Sequence, residues 1–247
     1  MSDIIKTQRS LAIKAMHNPT HKFDHLYRII CQDEWIQAAL EAVLSNQGAR
    51  TAEIDGMTKK DLASEEARQA CIHELQGELR EKRFQPVPVR RVYIPKSNGK
   101  RRPLGIAILK DRTVQMLLKM VLEPIWESDF LNCSNGFRPG RRTMDCIALL
   151  DSYINNRNKY YWAIEGDIQG AFDNVNHEIL LKLLAERVAD HRILDLVSRF
   201  LKAGVMENGL FLRTELGTPQ GAICSPLLAN VYGRLFGRKG IVSSVTP

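Results

Sequence analysis

Segments of helical and of strand periodicity follow one another in mixed order along this chain, which places it in the α+β class. Three observations carry that assignment. Apolar residues make up 44% of the 247 residues, enough for a buried core. Several stretches set apolar side chains three and four residues apart, as a helix with one buried face requires. Two shorter regions are strand-like and turn at glycine, as hairpins do. No internal repeat or low-complexity tract is present.

The elements are expected in the following order. Residues 1–22 are polar and interrupted at Asn18-Pro19, so only a ragged or short helix is expected there. His17, His21 and His25 recur every four residues, but Pro19 breaks the helix that would align them and no thiol or carboxylate completes a metal set, so they read as surface histidines. Asp24 to Leu44 reads as one helix through Leu26, Ile29, Ile30, Ile36, Leu40 and Val43, and a second runs from about Ser64 to Glu81. Pro86 and Pro88 mark an extended crossing. Two strands follow within Val87–Ile108, joined at Ser97-Asn98-Gly99-Lys100, and then a long helix from about Asp111 to Trp126. Thr143 is placed to cap a helix reaching Asn155, Tyr160–Asp167 reads as a strand, and Asn176 is placed to cap a helix through Val188. A helix over Arg192–Lys202 stops at Gly204, Val205–Leu216 forms a hairpin turning at Asn208-Gly209, and Pro226–Tyr232 begins a last helix.

The net charge of +7 favours an anionic partner, most often nucleic acid. It is concentrated: Arg90 to Arg112 holds eight basic residues and one acid, Asp111. Five cysteines are scattered with no C-x-x-C pair, which argues for reduced thiols in a cytoplasmic protein and against a disulfide scaffold or zinc site. No run of 18 apolar residues and no signal-like apolar segment occurs, so no membrane partner is expected.

Several residues point to chemistry. The turn between the first two strands brings Lys96 and Arg102 toward one point, where a point charge and a guanidinium fork would suit a triphosphate. On charge alone the same segment reads as a solvated basic hairpin. Asp167 ends an apolar run, where a carboxylate serves either as a metal ligand or as a cap. Phe172 reads as a core aromatic or as the wall of a sugar pocket, and Asp173 and Asn174 as turn residues. Gln220 lies on a tight backbone between Pro219 and Gly221.

In order, these pieces resemble the reverse transcriptase domain of group II intron-encoded proteins, the reverse transcriptase–maturases. The matching residues begin at Gly48-Ala-x-Thr51-Ala-x-Ile54-Asp55-Gly56 and continue with Lys96-x-x-Gly99-x-x-Arg102-Pro-Leu104-Gly105, Leu122-Glu123-Pro124-Ile125 and Ser134-x-Gly136-Phe137-Arg138-Pro139-Gly140-Arg141. They end with Asp167-Ile-x-Gly-x-Phe172-Asp173-Asn174-x-x-His177 and Gly217-Thr218-Pro219-Gln220-Gly221-x-x-x-Ser225-Pro226-Leu-Leu-Ala-Asn230.

The resemblance implies right-hand polymerase fingers and a partial palm, with the thumb absent. Its expected divisions are a helical extension over 1–44, fingers over 45–158, partial palm over 159–232 and an atypical tail over 233–247. It implies that Lys96 and Arg102 hold the triphosphate and that Asp167, with the Ile168 carbonyl, binds catalytic Mg²⁺. Phe172 packs beneath the deoxyribose, and Gln220 lies by the nascent base pair. Arg138, Arg141 and Arg142 lie where template backbone passes. The expected reaction is RNA-directed DNA synthesis on intron RNA with a DNA primer and deoxynucleoside triphosphates, with a maturase role in splicing and intron mobility. After Tyr232 the wording departs from the family and no Asp or Glu occurs, so the Tyr-Ala-Asp-Asp-type turn is missing. The expectation is an incomplete chain, inactive unless another polypeptide supplies the rest of the palm. The alternative is a non-catalytic RNA-binding remnant.

Overall fold

The computed structural model describes residues 2–46, 48, 54–95, 99–155, 162, 165–218 and 221–238. Its elements are α1 (Ser2–His17), α2 (Leu26–Ile30), α3 (Asp33–Ser45), α4 (Glu65–Arg80), β1 (Val89–Pro95), β2 (Arg101–Ile106), α5 (Leu109–Trp126), α6 (Thr143–Asn155), α7 (His177–Leu184), α8 (His191–Lys202), β3 (Val205–Glu207), β4 (Leu210–Leu212) and α9 (Ser225–Arg238).

Helix α5 is the hub. Val114, Leu117, Leu118, Val121, Leu122 and Ile125 recur at three- and four-residue spacing and are buried, and α1, α2, α3 and α9 pack on this helix. Pro124 lies inside it and cannot donate to the carbonyl four residues back. That carbonyl, on Met120, instead accepts the Gln8 side-chain amide of α1 at 2.9 Å. The N-terminal segment is therefore a full helix of 16 residues, longer than its polar composition leads one to expect. Ile4, Leu11 and Ala15 on its inner face join the core, which runs continuously from Ile4 to Val231.

The helix expected over Asp24–Leu44 is two helices, broken at Cys31-Gln32. Tertiary hydrogen bonds account for the break: the Gln76 side chain donates to the Cys31 carbonyl at 3.0 Å, the Tyr27 N–H to Asp190 at 2.8 Å and the Tyr27 hydroxyl to the Leu79 carbonyl at 2.8 Å. Ser64 caps α4 and Asn176 caps α7 through their side-chain oxygens. Thr143, expected as the cap, is the first residue of α6, and the Arg142 N–H before it donates to Asp145 at 2.7 Å. None of the α6 side chains is buried, and Met144, Ile147, Leu150 and Ile154 form an exposed stripe.

The sheet has the order β2-β1-β3-β4. Strands β1 and β2 pair antiparallel, with Ile94 opposite Arg102, and β3 joins β1 in parallel, with Val89 opposite Val205. Strands β3 and β4 form the expected hairpin. Asn208 and Gly209 turn it with φ of 50° and 80°, the left-handed pair that two-residue hairpins favour. The strand expected over Tyr160–Asp167 falls largely outside the described residues, and Glu165–Ile168 are irregular and exposed. No described strand lies beside them to complete a ladder.

The change of character expected at Gly233 is not a structural boundary, because α9 continues to Arg238. Leu227, Leu228 and Val231 anchor it in the core. The Arg234 guanidinium lies 4.9 Å from the Trp126 ring and pairs with Asp129 at 3.5 Å. These contacts offset the roughly 1 kcal/mol that a helical glycine costs. Residues 239–247 lie outside the described residues.

One buried acid sets a pH dependence. Asp111, in the first turn of α5, is 2% exposed and accepts the Val87 N–H at 2.9 Å. Burial pushes its carboxyl up to about 7 from the usual 3.8, against the pull of that N–H and of Lys110. Between these two values the folded chain holds a proton that the unfolded chain has released, so stability falls as pH rises. The slope approaches about 1.4 kcal/mol per pH unit and ends above the folded value. In Asp111→Asn this contribution is expected to vanish. Urea unfolding of both proteins from pH 4.5 to 7.5 reads the difference, and parallel pH profiles would sink the assignment.

Candidate active site

Asp167 is exposed and leads into a tight turn. The Asp173 and Asn174 N–H groups both donate to the Gly170 carbonyl at 2.9 Å, and the Asn174 amide reaches back to the Gln169 carbonyl at 3.0 Å. Gly170 has φ of 60°, and a Cβ there would sit 2.8 Å from the Asn174 amide nitrogen. The turn thus fixes Phe172 and Asp173 just downstream of Asp167.

A segment from forty residues further on is stitched to this turn. Asn176 and Leu216 form an antiparallel bridge. The Gly217 N–H donates to the Val175 carbonyl and the Thr218 N–H to the Phe172 carbonyl, both at 2.8 Å. The buried His177 ring donates through Nε2 to the Gly217 carbonyl at 2.7 Å. Gly217 has φ of 87°, and a Cβ would lie 2.8 Å from the Asp173 carbonyl oxygen. Gly217→Ala is therefore expected to cost about 2 kcal/mol. Urea unfolding checks this, and a variant as stable as the parent would contradict the stitch.

The same segment meets the sheet. A Cβ on Gly221 would lie 3.1 Å from the Gly105 carbonyl of β2, so only a glycine backbone approaches so closely. Arg102 stands exposed on β2. Phe172, half-buried, meets the Phe137 ring edge-on at 6.2 Å. Phe137 is 66% exposed and has φ of 58°, and its neighbour Gly136 is held through its carbonyl by the Asn230 side chain at 2.9 Å. Two motifs distant in sequence, around Gly170 and Gly217, are therefore joined, and Gly221 brings the second against β2 at Gly105. Lys96 and Gln220 lie outside the described residues.

The three arginines expected at template backbone differ. Arg138 does not face outward: its side chain is 3% exposed, pairs with Glu127 at 2.6 Å and donates to the Leu131 and Ser134 carbonyls at 2.7 and 2.6 Å. Its fork is used up in bracing the 131–140 loop, which removes it from nucleic-acid contact. Arg141 is half-buried and donates to the Asn132 carbonyl at 3.0 Å. Arg142 is exposed.

Sequence reasoning missed a cleft of about 300 Å³ lined by Arg91, Pro103, Gly105, Asp173, Gly217 and Thr218. The Nε of Arg91 and the hydroxyl of Thr218 are buried there without a hydrogen-bond partner among the described residues. By strand alternation Pro103 and Gly105 face away from Arg102 and Leu104, so this cleft is not the Arg102 face. It contains neither Asp167 nor Arg102. The roles of His177 and Thr218 had no signal beyond their place in the motifs.

Among the described residues no three His, Cys, Asp or Glu side chains gather around one point. Asp167 alone does not make a divalent-cation site. No described helix is long and apolar enough to cross a membrane.

Comparison with known proteins gives a consistent result. Residues 94–236 match the family described as reverse transcriptase (RNA-dependent DNA polymerase). The chain is 43% identical over 230 residues to Protein YkfC of Escherichia coli (strain K12), covering 92% of this chain and 60% of that protein. It is 37% identical over 219 residues to the group II intron-encoded protein LtrA of Lactococcus lactis subsp. cremoris, covering 88% of this chain and 35% of that protein. The chain thus spans only about a third to three-fifths of these relatives' length. A solved structure of a partial Cas6-RT-Cas1–Cas2 complex superposes with a TM-score of 0.55 at 23% identity, covering 87% of this chain and 34% of that one, and shows likeness of fold.

Proposed function

The chain belongs to the reverse transcriptase (RNA-dependent DNA polymerase) family, in its group II intron-encoded branch, and we propose that it serves RNA-directed DNA synthesis and the splicing and mobility of an intron. The observation that carries this reading is the hydrogen-bonded seam between Phe172–His177 and Gly217-Thr218. It ties the turn that follows Asp167 to the segment that leads toward Gly221.

In this reading Asp167 and the Ile168 carbonyl form one side of a divalent-cation site, and Mg²⁺ would supply charge stabilisation at the transferring phosphoryl group. Lys96 and Arg102 bind the incoming triphosphate, Phe172 packs under its deoxyribose and Gln220 lies against the new base pair. Arg141 and Arg142 border the template. The substrates are an RNA template, a DNA primer and deoxynucleoside triphosphates. The remaining carboxylates would come from outside the described residues.

The test is extension of a labelled DNA primer on an RNA template with Mg²⁺. Extension by the protein is expected, and is expected to require Asp167. The lack of a ligand cluster among the described residues favours a second reading, in which the chain binds RNA without chemistry. Salt-sensitive RNA binding with no extension would support that reading and sink the first.

A further inference from the structure

We propose that a concavity between α2, α4 and α8 binds phosphate groups of an RNA strand, at a site separate from the proposed polymerase centre. The concavity measures about 370 Å³ and is lined by His25, Tyr27, Arg28, Arg80, Lys82 and Arg192, together with Cys31 and Gln32. No carboxylate is among these residues, and four of them are permanent cations. The concavity shares no residue with the cleft beside Asp173.

Each cation is delivered by a defined piece of backbone. Arg28 projects from α2, whose entry at His25 is left-handed with φ of 60°. Arg80 is the last residue of α4, and Lys82 follows in a left-handed turn with φ of 61°. Arg192 lies in the first turn of α8. Asp190 grips it at 3.0 and 3.2 Å, and its guanidinium lies 5.3 Å from the Tyr27 ring. Asp190 itself is buried and also accepts the Tyr27 N–H at 2.8 Å, so it orients Arg192 without presenting negative charge to the concavity.

Arg28, Arg80 and Lys82 differ from the cations that hold the fold together. Lys110, Arg138, Arg187 and Arg199 are each paired with a described carboxylate. The Arg28, Arg80 and Lys82 side chains make no hydrogen bond or ion pair with any described residue. Three unneutralised cations held beside a fourth repel one another, and an anion with several oxygens relieves that repulsion. Guanidinium forks match phosphate geometry. All three unpaired cations are exposed, so a phosphate carried on a polymer reaches them without entering the interior. The site stands whether or not the chain takes part in primer extension.

Arginine modification by phenylglyoxal, mapped by peptide mass spectrometry on the full chain, tests the site directly. A 12-nucleotide single-stranded RNA is expected to protect Arg28 and Arg80 several-fold, and inorganic pyrophosphate to protect them weakly. In parallel, the triple variant Arg28→Gln, Arg80→Gln, Lys82→Gln is expected to flatten the salt dependence of RNA binding by about 0.7 in log–log slope for each phosphate that is no longer neutralised. A charge-matched control, Lys59→Gln, Lys60→Gln, Lys202→Gln, is expected to keep the parental slope. Thermal unfolding establishes that both variants fold. Lack of protection by RNA, or equal flattening in the control, overturns the proposal. Protection by pyrophosphate but not RNA overturns the polymer as the source of the phosphate.

Discussion

Asp167→Asn is expected to lower RNA-templated extension roughly 10³-fold, an effect of the size seen when charge stabilisation at a transferring group is lost. Asn keeps the size of the side chain and one acceptor oxygen, so the change is almost purely one of charge. Asp167 is exposed and lies outside every helix and strand, so its replacement should leave folding within about 0.5 kcal/mol. RNA binding should also persist, because removing a negative charge does not weaken contact with phosphate. A large loss of extension with unchanged unfolding and unchanged binding therefore has one explanation, a role at the reacting phosphoryl group. Extension at the parental rate would remove Asp167 from the chemistry and leave the RNA-binding reading.

What was legible in this sequence follows from how local each cause is. The β3–β4 hairpin could be read because Asn208-Gly209 carries its own turn geometry. Capping by Asn176 could be read because donor and acceptor lie three residues apart. The break between α2 and α3 could not, because Gln76, 45 residues away in sequence, takes the Cys31 carbonyl. The length of α1 and the persistence of α9 through Gly233 likewise rest on distant partners, Met120 for Gln8 and Trp126 for Arg234.

The candidate site divides in the same way. The order of the motifs announced the family, and the structure joined two of them through backbone hydrogen bonds that no side-chain pattern encodes. His177 stood inside a motif, yet nothing local indicated that its ring would secure the Gly217 carbonyl. Arg138 misled because a basic residue in a basic loop looks the same whether it faces solvent or the interior. Its partner Glu127 lies eleven residues upstream, in the 3₁₀ turn that follows α5.

Arg187→Met is expected to destabilise the fold by about 3–5 kcal/mol, the cost typical of breaking a buried charge pair from one side. Arg187 is 2% exposed and sits just beyond α7. Its guanidinium donates to the Ala15 carbonyl at 2.9 Å, to the Asn18 carbonyl at 3.0 Å and to the Pro19 carbonyl. These belong to the end of α1 and the turn after it, where helix carbonyls lack partners and a cation is favoured. Asp129 lies 3.4 Å from Arg187 Nε, and the Phe23 ring is 5.8 Å from the guanidinium carbon. Backbone bonds at 2.7 Å from Phe23 to the Arg187 carbonyl and from Ala189 to the Phe23 carbonyl close the same junction. Met fills similar volume but takes the guanidinium donors from the Ala15 and Pro19 carbonyls, while Asn18 keeps the His21 N–H, and leaves Asp129 with Arg234 as its remaining cation. Lys restores the charge without the fork, so Arg187→Lys should fall between Met and the parent. Urea unfolding gives the stabilities, and hydrogen exchange over α1 locates the damage. Early exchange confined to α1 would mean that Arg187 pins the N-terminal helix to an otherwise independent core. A loss below about 1 kcal/mol would mean that water or Arg234 replaces it, and that the junction does not depend on this buried cation.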